Sequence, residues 1–171
     1  MSWHKELHDF LLGLLTKQKV PGGVTFSMEL GSGYDKDAEE AEQRAKIVSF
    51  CRAQLGKPYK LGSEITNPAE ALAWDCSELT ELAYKRAGLG LPDGAVYQFN
   101  FCRPSTARAG DLWFLWSDTR KMIGHVGIYT GEGTVVHAMA GRGVVEDPVS
   151  QWENHVRFRG TRRHPDFSQD T

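Results

Sequence analysis

The sequence has no long hydrophobic run. Its apolar stretch near the start, Phe10 to Leu15, is six residues broken by Gly13, whereas a membrane-spanning helix needs about 20. No membrane insertion is expected. The same stretch is short for a secretory signal, follows Glu6 and Asp9, and leads into Lys17 and Lys19 without a small-residue cleavage site. The expectation is therefore synthesis in the cytoplasm without a Sec signal. An excess of one charge is also missing: 20 Lys plus Arg against 22 Asp plus Glu give a net charge of −2. That leaves no positive surplus to neutralise a run of phosphates, so nucleic acid is not an expected partner. Cysteine is scarce. Cys51, Cys76 and Cys102 cannot all pair within one chain, and their spacing matches no zinc ribbon. At least one thiol is free. Internal repeats and low-complexity tracts are absent too. What is present is the composition of one ordinary domain: 171 residues, 40% hydrophobic and 25% charged, which excludes collagenous, disulfide-scaffold and disordered classes.

Along the chain, Trp3, Leu7, Phe10, Leu11, Leu14 and Leu15 recur at helical spacing. Pro21-Gly22-Gly23 ends that helix, and Val24 to Leu30 reads as a short strand before the break at Gly31-Ser32-Gly33. Residues 1–36 form an N-terminal extension, 37–165 the main domain, and 166–171 a polar tail whose end, Ser168 to Thr171, is expected to fray. Asp37 can cap a helix from Ala38 whose apolar face is Ala41, Ala45, Val48, Cys51 and Leu55. Gly56 and Pro58 end it. Cys51 thus reads as core. A second helix is signalled at Trp74-Asp75-Cys76-Ser77, with Leu79, Leu82, Ala83 and Ala87 on one face and Gly88 as its stop. Beyond Pro92, five short apolar runs (111–116, 125–129, 134–138, 143–145 and 156–160) alternate with turn residues, the pattern of an antiparallel meander. The fold class is α+β.

Cys76 falls in the first turn of the second helix, where free amides and the positive end of the helix dipole favour an anion. On that ground its thiol pKa is expected to be lowered. Cys102 lies in a loop-like stretch, Asn100 to Pro104, with no charge partner. A nucleophilic cysteine needs a base that takes its proton and later returns it to a leaving amine, and imidazole suits both steps. His4, His8, His155 and His164 read as solvated surface residues. His125 and His137 lie instead in apolar strands, where a ring costs free energy unless it is hydrogen-bonded. Strand side chains alternate, so the two rings share a face only if paired residue numbers on the two strands add to an even total. Pairing Tyr129 with Gly133 does so and sets His125 opposite His137; pairing Tyr129 with Thr134 separates them. An odd-length loop or a compensating bulge is expected. Cys76 would then attack a carbonyl, His125 would act as base and acid, and His137 would orient His125.

The pieces Leu55-Gly-Lys-Pro-Tyr59, Trp74-Asp-Cys-Ser77, Ala109-Gly-Asp-Leu112, Gly124-His-Val-Gly-Ile-Tyr129 and Val136-His-Ala138 follow one another in an order that resembles the NlpC-type cell-wall cysteine peptidases, over roughly residues 45 to 162. The resemblance implies a papain-like fold, with a helix carrying Cys76 packed on an antiparallel sheet of about five strands that carries His125 and His137. It implies hydrolysis of peptidoglycan stem peptides or muropeptides, typically between D-glutamate and a diamino acid, with no metal and no cofactor. By the same resemblance Tyr59 positions substrate, and Asp75 and Ser77 help recognise a free amine. The plainer readings are a packed ring for Tyr59, a helix cap for Asp75 and first-turn polarity for Ser77. Three positions depart from the family pattern: Glu78 in place of glycine, Gly62-Ser63 in place of paired glycines, and Ala95 where serine is common.

Three competing functions stay open beside the peptidase. One is a catalytically idle structural or binding module within a larger assembly, such as a phage tail or a secretion apparatus. Another is a thiol acyltransferase or amidase, since an acyl-enzyme can pass to acceptors other than water. A zinc site made of Cys76 and the histidines is the third. Delivery to the wall without Sec, or action on muropeptides in the cytoplasm, is the expected setting.

Overall fold

The computed structural model describes residues 35–63 and 71–170; the expected N-terminal helix and the strand Val24 to Leu30 lie outside them. The described residues form three helices, α1 (Lys36–Arg52), α2 (Cys76–Arg86) and α3 (Ala95–Phe101), and six strands. The strands are β1 (Arg103–Ser105), β2 (Leu112–Ser117), β3 (Met122–Tyr129), β4 (Thr134–Met139), β5 (Gly143–Pro148) and β6 (Phe158–Arg163). No described helix is long and apolar enough to cross a membrane.

Asp35 caps α1 by accepting from the amides of Asp37 and Ala38, each at 3.1 Å. The cap and the helix start therefore each lie two residues before the expected Asp37 and Ala38. Its buried face is also rotated from the expected one: Glu40, Arg44, Ile47, Val48 and Cys51 face inward, while Ala41 and Ala45 are exposed. The cause is a buried carboxylate elsewhere. Arg44 donates to Asp111 at 2.8 Å and to the Ala109 carbonyl at 2.7 Å, and that charged contact outweighs an apolar stripe of small alanines. α2 begins at Cys76 as expected, buries Leu79, Leu82 and Ala83, and ends before Gly88, whose φ of +82° is cheap only for glycine. α3 was not legible as a helix. Its sequence, AVYQFNF, is short and mostly aromatic or β-branched, with only Ala95 and Gln98 favouring helix intrinsically, and tertiary contacts carry it: Gln98 is buried between the Thr80 hydroxyl and the Ser77 carbonyl.

The sheet is antiparallel throughout, in the order β1-β6-β2-β3-β4-β5. The expected five strands are present, and the sixth is the short edge strand β1. One face of the sheet packs on the helices through Leu112, Phe114, Val126, Ile128, Val136, Ala138 and Val144. The other carries a second cluster of Trp113, Leu115, Val135 and Val149, closed by Tyr129, Trp152 and Phe158.

Beneath β2 and β6 lies a buried charge cluster. Arg163 and Asp111 are both fully buried and meet through bonds of 3.0 to 3.2 Å. Arg44 joins them, and Tyr84 donates to the Gly110 carbonyl at 2.6 Å, so the Ala109-Gly-Asp-Leu segment ties α1, α2, β2 and β6 together. The tail does not fray within the described residues. Phe167 is buried under the Arg44 guanidinium at 4.2 Å, the Ser168 amide donates to Glu40, and Asp170 pairs with Arg163. His164 is likewise buried, 2.9 Å from the Gly90 carbonyl, not solvated as expected.

Candidate active site

Asp75 precedes α2 and caps it, accepting from the Glu78 amide at 2.8 Å. Its second oxygen accepts from the Gly62 amide at 3.1 Å, and its own amide donates to the Ser63 hydroxyl at 2.9 Å. The departure from paired glycines is thus used: Ser63 supplies an acceptor that glycine lacks. Ser77 donates to Asp75 at 3.1 Å. Tyr59 is placed beside this turn by a bridge to Trp74, and its phenol pKa is raised by burial and by the neighbouring Cys76 and Asp75.

Tyr59, Asp75, Cys76 and Ser77 line one cleft of about 360 Å³ together with Arg120 and Gly124. The three residues that the resemblance assigns to substrate therefore do meet around the cysteine. Gly94, Ala95 and Val96 form another wall, with no hydroxyl at Ala95. A larger depression of about 690 Å³ lies on the outer side of α1, lined by Ala45, Lys46, Phe50 and Arg86 among others. Its lining contains neither cysteine nor histidine.

Cys76 is 8% exposed. Burial pushes its thiol up to about 11, against an opposing pull from the backbone amides of Val126, Ser77 and Cys76 itself. The helix start is where the sequence places it, but desolvation outweighs it, and the resting sulfur is a thiol. This corrects the expectation of a lowered pKa. All three cysteines are free. Cys51 and Cys102 are buried in the core, with thiol pKa values raised by desolvation.

β3 and β4 pair Ile128 with Val136 and Tyr129 with Val135, an even total that puts both histidines on one sheet face. Their register is two residues on from the expected pairing. His125 is therefore diagonal to His137, and Gly127 is the residue directly opposite it. The diagonal works because Gly127 has no side chain: a Cβ there would lie 2.9 Å from that of His137 and 2.7 Å from Val135 Cγ2. The rings meet at 2.7 Å, His125 Nε2 to His137 Nδ1, walled by Trp113 in edge contact with both. Burial first, and then His137, depresses the His125 pKa to about 3. His137 is fully buried, its pKa lowered by desolvation against the opposing pull of Asp147.

The structure thus joins His125 to His137 and sets the Cys76 sulfur against the main chain of Val126, the residue after His125. It does not join the sulfur to the His125 ring by a hydrogen bond. Among the described residues, the one group of three or more side chains at metal-ligand spacing is Glu78, Glu81 and Asp93. Cys76 and the two histidines do not form such a group.

Sequence reasoning missed Asp147, whose Oδ2 is 3.2 Å from His137 Nε2. The apolar run read from the sequence stops at 145, yet β5 continues to Pro148. The usable signal was parity: Asp147 is two residues beyond Val145 and so shares its face.

A family model described as NlpC/P60 family matches residues 56–163. The chain belongs to the NlpC/P60 family. Among its relatives, a probable endopeptidase of Corynebacterium glutamicum is 32% identical over 73% of this chain and 56% of its own length. Peptidoglycan DL-endopeptidase CwlO of Bacillus licheniformis is 37% identical over 62% of this chain and 24% of its own. The chain thus spans about half the length of the first relative and a quarter of the second. Among solved structures, Mycobacterium tuberculosis RipD, described as a non-catalytic NlpC/p60 domain protein adapted to peptidoglycan binding, superposes with a TM-score of 0.56 at 21% identity. That match covers 70% of this chain and 95% of the other. The NlpC/P60 fold is therefore shared beyond clear sequence similarity.

Proposed function

We propose that this NlpC/P60 protein is a cysteine endopeptidase that hydrolyses peptidoglycan stem peptides at the bond between D-glutamate and a diamino acid. The observation that carries the reading is the cleft in which Cys76, Tyr59, Asp75 and Ser77 converge, with the Val126 amide at the sulfur and the His125–His137 pair beginning one residue away. Catalytic hydrogen bonds often tighten only as substrate binds. His125 Nε2 is engaged by His137, which leaves Nδ1, the nitrogen nearer its own main chain, for the thiol.

The pair starts neutral. As the sulfur attacks the scissile carbonyl, the thiol proton passes to His125 Nδ1 and the S–C bond forms while the carbonyl π pair moves to oxygen. The amides of Cys76 and Ser77, at a helix start where no intrahelical acceptor exists, are placed to donate to that oxyanion. Collapse breaks the C–N bond, and the departing amine takes the proton from His125. Water then attacks the thioester, giving its proton to His125. The C–S bond breaks, and the sulfur recovers the proton as the acid leaves. His137 holds the His125 ring during both transfers.

RipD shows the fold serving binding without catalysis, so the fold alone does not decide. Incubating the protein with purified peptidoglycan and identifying soluble fragments by mass tests the choice. The proposal expects fragments that begin with the diamino acid, and none from Cys76→Ala. Peptidoglycan bound but uncut favours the idle module, and transfer to an added amine favours the acyltransferase.

A further inference from the structure

The histidine pair ends at His137 Nε2, and β5 supplies what that nitrogen meets. His137 pairs with Val145, and Asp147 pairs with Val135, which places Asp147 on the face of the rings. Its Oδ2 lies 3.2 Å from Nε2. His137 is fully buried and Asp147 is 6% exposed, so water competes little for either group. Arg142, in the turn between β4 and β5, grips the same carboxylate with both ends of its guanidinium, at 2.6 Å to Oδ2 and 2.9 Å to Oδ1. Such a fork fixes the carboxylate plane and favours its ionised form.

An ionised carboxylate has no proton to give. His137 Nε2 must then be the donor, which makes His137 Nδ1 a lone pair. That lone pair can only accept, so the 2.7 Å contact with His125 is a bond donated by His125 Nε2–H. A neutral imidazole carries one N–H, so His125 Nδ1 is left bare. The opposite tautomer of His137 would point a lone pair at a buried anion, which is electrostatically repelled.

We propose that Asp147, held by Arg142, is a positioning residue that sets the tautomers of both imidazoles and so leaves His125 Nδ1 free to accept a proton. This deepens the peptidase reading and rests on it for its kinetic arm alone. The triad by itself assigns His137 an orienting role without saying what fixes His137.

Long-range ¹H–¹⁵N spectra of the full ¹⁵N-labelled chain, read beside kcat and KM on a purified muropeptide, test the proposal. Wild type is expected to carry both ring protons on Nε2. In Asp147→Ala the Nδ1–H form should appear at both rings. Its kcat should fall about 10- to 100-fold, the range seen when a partner that orients a metal-bound imidazole is removed, with KM within about twofold. Arg142→Met should shift the same signals less, and Asp147→Asn, whose oxygen can still accept, should recover part of the activity lost in Asp147→Ala.

Unchanged tautomers in a folded Asp147→Ala, or a wild-type His125 protonated on Nδ1, would overturn the proposal. If Asp147→Ala does not fold, Arg142→Met decides it, because Arg142 is half exposed and carries no core packing; unshifted signals there overturn it equally. Tautomers that shift as expected in a protein that cleaves no muropeptide sustain the role of Asp147 and defeat the peptidase reading instead.

Discussion

At the scale of the residue, the contest at Cys76 is between backbone amides that favour a thiolate, that of Val126 ahead of those at the helix start, and burial that opposes it. Burial wins in the resting structure, and the thiol is pushed up to about 11. Cys51, fully buried, has its thiol raised further still. Iodoacetamide should therefore label Cys76 before Cys51, with a rate that keeps climbing as pH rises past 9 toward 11. A plateau reached below pH 8 would mean that the sulfur is already anionic. His125 gives a second prediction. Its folded pKa is near 3 against an ordinary 6.5, so the unfolded chain takes up a proton that the folded chain refuses. Stability from this group is complete above about pH 6.5 and is lost as pH falls toward 3. Urea midpoints measured from pH 7 to pH 4 should decline, and should decline less steeply in His125→Asn; equal slopes would contradict the assignment.

At the scale of the element, the shared face of the two imidazoles was legible because, without a bulge, it depends only on parity: an even pairing total brings them together. What parity could not give was which even register forms, and Gly127 decides it by leaving room beside His137. Gly127→Ala should force that ring aside, costing about 1–3 kcal/mol as overpacking generally does and breaking the 2.7 Å contact between the rings. Chemical denaturation with imidazole ¹⁵N shifts checks both, and wild-type shifts in a fully stable variant would count against it. The start of α2 was legible for a related reason, since Asp before Cys-Ser is a local cap signal that needs no tertiary partner. The buried face of α1 was not, because Arg44 turns inward to meet Asp111 from 67 positions away. Nor was α3, whose Gln98 is held by α2. Asp147 was missed because the apolar run stops at Val145, whereas the strand continues through the polar Glu146 and Asp147 to Pro148.

At the scale of the whole molecule, the described domain is tied together by a charge cluster whose centre, Asp111 and Arg163, is fully buried. Asp111 lies between Arg44 and Arg163, and Asp170 pairs with Arg163 from the chain's end. Removing one partner of a buried ion pair strands the others, so Asp111→Ala should lose about 3–5 kcal/mol of stability in equilibrium denaturation. A loss under about 1 kcal/mol would mean that water enters and solvates the arginines. That rigid frame holds α2 and β3 in the mutual position on which the proposed chemistry depends: a sulfur that becomes acylated and is then freed by water. Intact-protein mass spectrometry tests this most directly, on samples quenched in acid within milliseconds of mixing with a stem peptide containing the D-glutamyl–diamino acid bond. The account predicts a transient mass gain equal to the acyl fragment, located on Cys76, that decays as the free acid appears. Product formed at the wild-type rate by Cys76→Ala, without any adduct in either protein, would contradict it.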